Sequence, residues 1–246
     1  MSRTVRLLGL DFADLDAAAA AALVAQRPAG SRFQYVVTPN ADHLVRLARD
    51  PALAVVYRNA RLRLLDSRVV AGAAQLLALP VPRVAPGSDL TALLLSRHLR
   101  PGEQVTIVGL RPCWLPALVA RCGLAPPAHY DPPMGFATDR ATLADTVDFV
   151  LAHPARFVFL AVGSPRQELL AASIAATGRA SGTGLCIGAS LEFIAGAARR
   201  APSWMQHAGL EWLFRLANDP RRLAGRYLVD CPAVFRLLLR EWRARG

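Results

Sequence analysis

The stretch Arg156–Ala176 reads RFVFLAVG and then SPRQELLAASIAA, and it decides the fold. Its first eight residues form an almost continuous apolar run without polar alternation. Such a run suits a strand covered by helices on both faces. A Gly-Ser-Pro turn follows, and then a helical pattern over Arg166–Ala176. Strand, tight turn and helix in that order are one unit of a parallel, doubly wound sheet.

The same unit recurs on either side. Candidate strands are Phe33–Thr38, Leu62–Asp66, Gln104–Gly109 and Gly182–Ile187. Helical patterns lie between them at Leu15–Gln26, Ala41–Arg49, Val69–Leu79, Leu90–Leu99, Leu115–Cys122 and Arg140–Ala152. The fold class predicted is therefore α/β, with a Rossmann-like, mainly parallel sheet flanked by helices. After Ala189 the strands stop. A short turn at Leu191–Ala195 leads to helical patterns at Trp204–Leu216, after Asp219-Pro220, and from Pro232 to the end. We divide the chain into an α/β core, residues 1–198, and a basic helical C-terminal appendage, residues 199–246.

Composition bounds the function. The chain has 246 residues, 53% hydrophobic and 19% charged, which is ample for a buried core and excludes disorder. Its net charge is +11, and all 29 basic residues are arginine. From Arg199 to Gly246 ten arginines stand against Glu211, Asp219, Asp230 and Glu241, so the appendage holds +6 of that charge. An excess of this kind points to anionic partners: phosphates, acidic lipid or nucleic acid. Cys113, Cys122, Cys186 and Cys231 form no CxxC pair and have no nearby His at ligand spacing, so neither a metal site nor a disulfide framework is expected. The N-terminus, MSRTVRLLGLDF, has no signal-peptide pattern, and the apolar run Ala17–Ala25 falls short of the ~20 residues that span a bilayer.

In a doubly wound sheet, ligands sit beyond the carboxyl ends of the strands. Thr38-Pro39-Asn40, Asp66, Gly109 and Gly163-Ser164-Pro165-Arg166-Gln167-Glu168 all fall there. Pro39 and Pro165 stiffen their turns and so orient Asn40 and Gln167. Asp66 closes the apolar run LRLL, where partial desolvation suits a general base of raised pKa. The plainer alternative is that Asp66 caps the helix that follows. Arg68, Arg83, Gly87 and Asp89 supply positive charge and turn chemistry nearby. No GxGxxG, Walker loop, His-rich metal site or GxSxG is present. No pair of carboxylates stands out as the metal-binding Asp-x-Asp of many sugar transferases. Arginine forks and helix N-termini are then the available stabilisers of a departing diphosphate.

Read in order, TPNADH, LLDS, RVAPGSDL, PPMGF, GSPRQE, IGASLEFIAG and RAPSWMQHAGLEWLFRLANDPRRLAGRYL resemble the WecG/TagA/CpsF glycosyltransferases, family 26, from about Leu8 to the C-terminus. The resemblance implies an inverting, metal-independent transfer from a UDP-sugar to an undecaprenyl-diphosphate-linked sugar in cell-surface polysaccharide synthesis. No cofactor is implied, since the UDP-sugar is a substrate. The family's general base falls on Asp66. Its substrate-binding residues fall on Thr38, Asn40, Arg83 and Gln167, and the arginines of its appendage on Arg215, Arg222 and Arg226. That appendage is implied to close over the active site and meet an anionic membrane, which places the protein in the cytoplasm on the inner face of the cytoplasmic membrane. Exposed apolar surface on it is compatible with a homo-oligomer. Two motifs depart from the family pattern: Asp66-Ser67-Arg68-Val69 replaces Asp-Gly-x-Gly, and Leu191-Glu192-Phe193 replaces Phe-Asp-Phe. Loss of the first glycines changes the backbone freedom beside the proposed base, and Arg68 is a candidate for the donor site. Two rivals stand beside this reading. One is a non-catalytic basic module that binds membrane or nucleic acid, although no recognised nucleic-acid motif is present. The other is a degenerate transferase that serves as a scaffold.

Overall fold

A computed structural model describes residues 3–198, 201, 202, 204, 205, 210–218 and 231–245. Six strands form one parallel sheet in the order β4-β3-β8-β7-β5-β6. They are β3 (Gln34–Val37), β4 (Leu62–Arg63), β5 (Thr106–Gly109), β6 (Ala128–Tyr130), β7 (Phe157–Ala161) and β8 (Thr183–Cys186). The five strands read from sequence are all present, with shorter bounds. The short edge strand β6 adds a sixth. A separate antiparallel hairpin, β1 (Thr4–Leu7) and β2 (Leu10–Ala13), precedes the sheet and packs beside β4.

Alternation along each strand builds two cores. Tyr35, Val37, Val108, Val158, Leu160 and Cys186 face one way, and Val36, Ile107, Phe157, Phe159 and Leu185 the other. Helices α2 (Ala41–Arg49), α3 (Pro51–Asn59), α4 (Arg68–Leu76), α7 (Arg140–Ala152) and α8 (Arg166–Ala176) cover the first face. Helices α1 (Ala17–Ala25), α5 (Gly87–Leu93), α6 (Leu115–Cys122) and α9 (Ser190–Ala195) cover the second. Side-chain caps fix where several of these start: Asp16 accepts the Ala19 N–H at 2.8 Å, Asp50 the Leu53 N–H at 3.0 Å, and Asp139 the Thr142 N–H at 2.9 Å.

Among the described residues of the C-terminal fifth, two further helices are α10 (Glu211–Asn218) and α11 (Cys231–Arg245). The helix expected after Asp219-Pro220 lies outside the described residues. Helix α11 packs on α2 and α4, with Val234 and Leu238 fully buried in the first core. Its Glu241 accepts the Leu8 N–H at 2.5 Å, which ties the helix to the turn of the β1–β2 hairpin. No helix among the described residues is long and apolar enough to cross a membrane.

At the amino end of β7, Arg156 is held almost completely out of solvent. Its Nε and Nη2 donate to the two Glu103 carboxylate oxygens, each at 2.6 Å, and its remaining donors reach the Ala25 and His98 carbonyls. The guanidinium also lies 4.3 Å from the centre of the Phe157 ring. Hydrogen bonds from Arg156 hold the Glu103 carboxyl below the usual carboxylate range. Breaking a buried pair strands its partner, so Glu103→Ala is expected to cost about 3 kcal/mol in chemical denaturation. Because the folded pKa is depressed, the pair's contribution is complete above the unfolded value of about 4.3 and is lost as pH falls through the folded one. Acid titration of the wild type and Glu103→Ala should therefore converge at the acid end; parallel curves would reject this role.

Candidate functional site

Topology puts the candidate ligand crevice between β3 and β8. The chain leaves β3 for helices on the first face and leaves β8 for α9 on the second, and such a reversal is where an open α/β sheet takes its ligand. Thr38 stands at one tip and Gly188 at the other.

Pairing continues past the regular strands and sets the heights of these groups. Leu64 N–H donates to the Val37 carbonyl and Asp66 N–H to the Pro39 carbonyl, both at 3.0 Å. Asp66 is thereby held level with the Thr38-Pro39-Asn40 turn. Its Oδ2 accepts the Gly87 N–H at 3.1 Å, at the start of α5. Gly87 is buried against Thr38, and a Cβ added there would lie 2.8 Å from Thr38 Oγ1, close enough that one of the two would have to move. Thr38 Oγ1 in turn donates to the Cys186 carbonyl at 3.4 Å. Asp66, Gly87, Thr38 and the tip of β8 form one contiguous cluster.

Ser67 settles what became of the missing glycines. Its φ of −159° is ordinary extended backbone, so no glycine is needed at this position. The Ser67 hydroxyl accepts the Val70 N–H at 3.1 Å and is the N-cap of α4. The capping role considered for Asp66 therefore belongs to its neighbour, while Asp66 turns to Gly87.

Asn40 caps α2, its Oδ1 accepting the His43 N–H at 3.3 Å. Gln167 is 2% exposed and reaches across to the β8 tip, where its Oε1 accepts the Gly188 N–H at 2.9 Å. Thr38, Asn40, Asp66 and Gln167 thus gather at the carboxyl edge. Arg83 does not join them through any of its polar contacts. Its backbone N–H donates to Asp14 Oδ1 at 3.0 Å and its guanidinium lies 3.5 Å from Asp16, with most of the side chain exposed. Arg68 is exposed on the first turn of α4. Arg222 and Arg226 lie outside the described residues, as does the side chain of Arg215.

Asp14-Leu15-Asp16 does have Asp-x-Asp spacing, which the reading of the sequence passed over. Both carboxylates serve the entry to α1: Asp14 accepts from Arg83, and Asp16 caps the helix. Gly87, expected from the sequence to supply turn chemistry near Asp66, does so through its N–H. The Ser67 cap and the Gly188 N–H have no counterpart in the sequence reading beyond the glycine of IGAS. A separate groove of about 700 Å³ runs between the β1–β2 turn, α2 and α11, lined by Leu8, Leu44, Leu237 and Arg245 among others. It includes none of the clustered residues.

A family model described as the Glycosyl transferase WecG/TagA/CpsF family matches residues 5–246, almost the whole chain. That span includes every residue of the cluster at the carboxyl edge.

The cap assignment is open to a direct check. Ser67→Ala should lower stability by about 1 kcal/mol and Ser67→Gly by only a few tenths, measured by urea unfolding. Equal losses would show that the Ser67 hydroxyl does not cap α4.

Proposed function

The chain belongs to the WecG/TagA/CpsF glycosyltransferase family, and from that premise we propose that it moves a hexose or N-acetylhexosamine-type sugar from UDP onto an undecaprenyl-diphosphate-linked sugar. The observation that carries this reading is the Asp66 carboxylate, fixed by the Gly87 N–H at the mouth of the β3/β8 crevice beside Thr38. A partly exposed carboxylate in that place suits a general base better than a core packing role. Asp66 accepts the proton of an acceptor hydroxyl as its oxygen attacks the anomeric carbon from the face opposite UDP. The bond to the diphosphate breaks in the same displacement, so the configuration inverts and no covalent enzyme intermediate forms.

The leaving diphosphate gains charge. In this reading Arg222, Arg226 and Arg215 offset it through their guanidinium forks, without a metal ion. Thr38 and Asn40 line the donor side. Gln167 serves the site by ordering the Gly188 turn, and Arg83 by anchoring the segment whose Val84 and Ala85 pair with Leu65.

The acceptor is lipid-linked in this proposal, so the surface has to meet a membrane. Helix α11 exposes Phe235, Leu239 and Trp242 at spacings of four and three, with Arg236, Arg240 and Arg243 beside them on the solvent side. Large apolar side chains 39–49% exposed, alongside arginines, fit docking on anionic headgroups at the inner face of the cytoplasmic membrane. The nucleic-acid alternative gains nothing from this arrangement, because no recognised nucleic-acid motif accompanies it.

General-base assistance is worth about 10²–10⁴-fold. Asp66→Asn should lose that much turnover with UDP-N-acetylmannosamine, its uronic acid or UDP-glucose and a short-chain lipid-diphosphate-sugar acceptor, while unfolding at an unchanged urea midpoint. Near-normal turnover would reject Asp66 as the base. For the membrane face, each arginine near an anionic surface is worth about 1 kcal/mol. Arg236→Gln/Arg240→Gln/Arg243→Gln should therefore weaken flotation with anionic liposomes on the order of 100-fold. Unchanged flotation would remove α11 from the docking surface.

A further inference from the structure

Beneath the β8 tip lies a carboxyl group that the mechanism above does not use. Glu168 is 1% exposed, directly after Gln167 on the first turn of α8. Its Oε1 accepts from Gln167 Nε2 at 2.9 Å, and its Oε2 is buried with no hydrogen bond among the described residues. The hydroxyls of Tyr57 and Ser164 face the same carboxyl, and Tyr35 and Cys186 complete the surroundings. Arg46 Nη1 donates to Ser164 Oγ at 3.2 Å, and its Nη2 pairs with Asp42 at 3.0 Å. An acid so placed is costly, because burial penalises its charged form and pushes its pKa up.

We propose that Glu168 is a positioning residue for sugar transfer, acting through the Gln167 amide on the Gly188 N–H at the tip of β8. The proposal rests on the reading of the β3/β8 crevice as the transfer site. Its logic is the asymmetry of an amide. The Gly188 N–H can only donate, so the end of Gln167 that faces it must be the carbonyl oxygen. The NH₂ end must then face the other way, into a dry interior where an unanswered donor is expensive. Glu168 Oε1 answers it, and does so whether or not the other carboxyl oxygen holds a proton. Without that acceptor the buried NH₂ is left unanswered and only the Gly188 hydrogen bond opposes a turn of the amide, which would set a donor against the Gly188 donor. Cys186, two residues before Gly188, carries the carbonyl that takes the Thr38 hydroxyl, so disorder here reaches the cluster around Asp66.

The test compares Glu168→Gln, which keeps an acceptor, with Glu168→Leu, which does not. Turnover is read with the three UDP-sugars and the short-chain acceptor, and exchange of the Gly188 amide and of the Gln167 side-chain NH₂ by NMR. Glu168→Gln should stay within about threefold of the wild type. Glu168→Leu should lose on the order of 10- to 100-fold in kcat, as small misplacements do, with KM for the acceptor little changed. Gly188 should exchange at least tenfold faster in Glu168→Leu, while the Val158 amide in the sheet keeps its protection. The losses of Glu168→Leu and Gln167→Leu should not multiply in the double variant. Multiplying losses, wild-type turnover and Gly188 exchange in Glu168→Leu, or an equal loss in Glu168→Gln would each overturn the proposal. In the wild type the Gln167 NH₂ should be protected; exchange as fast as in exposed glutamines would overturn it without any variant. If wild-type protein turns over none of the donors, the transfer reading fails, and the exchange data still decide whether Glu168 holds the Gln167 amide.

Discussion

The site depends on parallel pairing between β3 and β4 that continues beyond the regular strands. Two hydrogen bonds, Leu64 to Val37 and Asp66 to Pro39, carry the register up to the crevice mouth. A one-residue slip would turn Asp66 to the opposite face and leave Leu65 at the opening. Gly87 completes the constraint, because a Cβ there would crowd Thr38 Oγ1 at 2.8 Å and force one of the two to move. These backbone contacts set the height of the carboxylate and hold it at the start of α5.

Around that point the molecule uses two kinds of polar burial. Below the sheet, Arg156 is answered by Glu103 and by the Ala25 and His98 carbonyls, and the pair locks the amino end of β7 to the segment that follows α5. Above the sheet, the carboxyl of Glu168 is only partly answered, and the groups around it belong to α3, α8 and the turn after β7. The Arg156–Glu103 pair suits a structural joint. Helix α2 links the site to the membrane-facing surface we propose: it starts at Asn40 in the crevice and offers Leu44 and Val45 to the core that α11 joins through Val234 and Leu238.

Much of this was legible in the sequence for a simple reason. Strands covered on both faces read as unbroken apolar runs, and a polar residue that ends such a run must emerge at the edge of the sheet. That logic identifies Thr38 and Asp66 without a structure, and the turn after β7 identifies Gln167. It fails where strands are short or half-covered. Thr4–Leu7 and Leu10–Ala13 mix exposed with buried positions, and Ala128–Tyr130 is half-buried throughout, so none reads as an unbroken apolar run. Helix α3 was passed over because it begins at Pro51, immediately after α2 ends. Contacts between distant residues leave no local trace: nothing near Gly87 announces Asp66, and nothing near Arg83 announces Asp16.

The central claim is that chemistry occurs at the β3/β8 crevice with Asp66 facing the acceptor. A crystal structure of the protein with UDP and a short-chain lipid-diphosphate-sugar acceptor tests it most directly. The account places an acceptor hydroxyl within about 3.2 Å of an Asp66 carboxylate oxygen, with the Gly87 hydrogen bond intact. Both molecules seated in the groove between α2 and α11, with Asp66 touching neither, would contradict it.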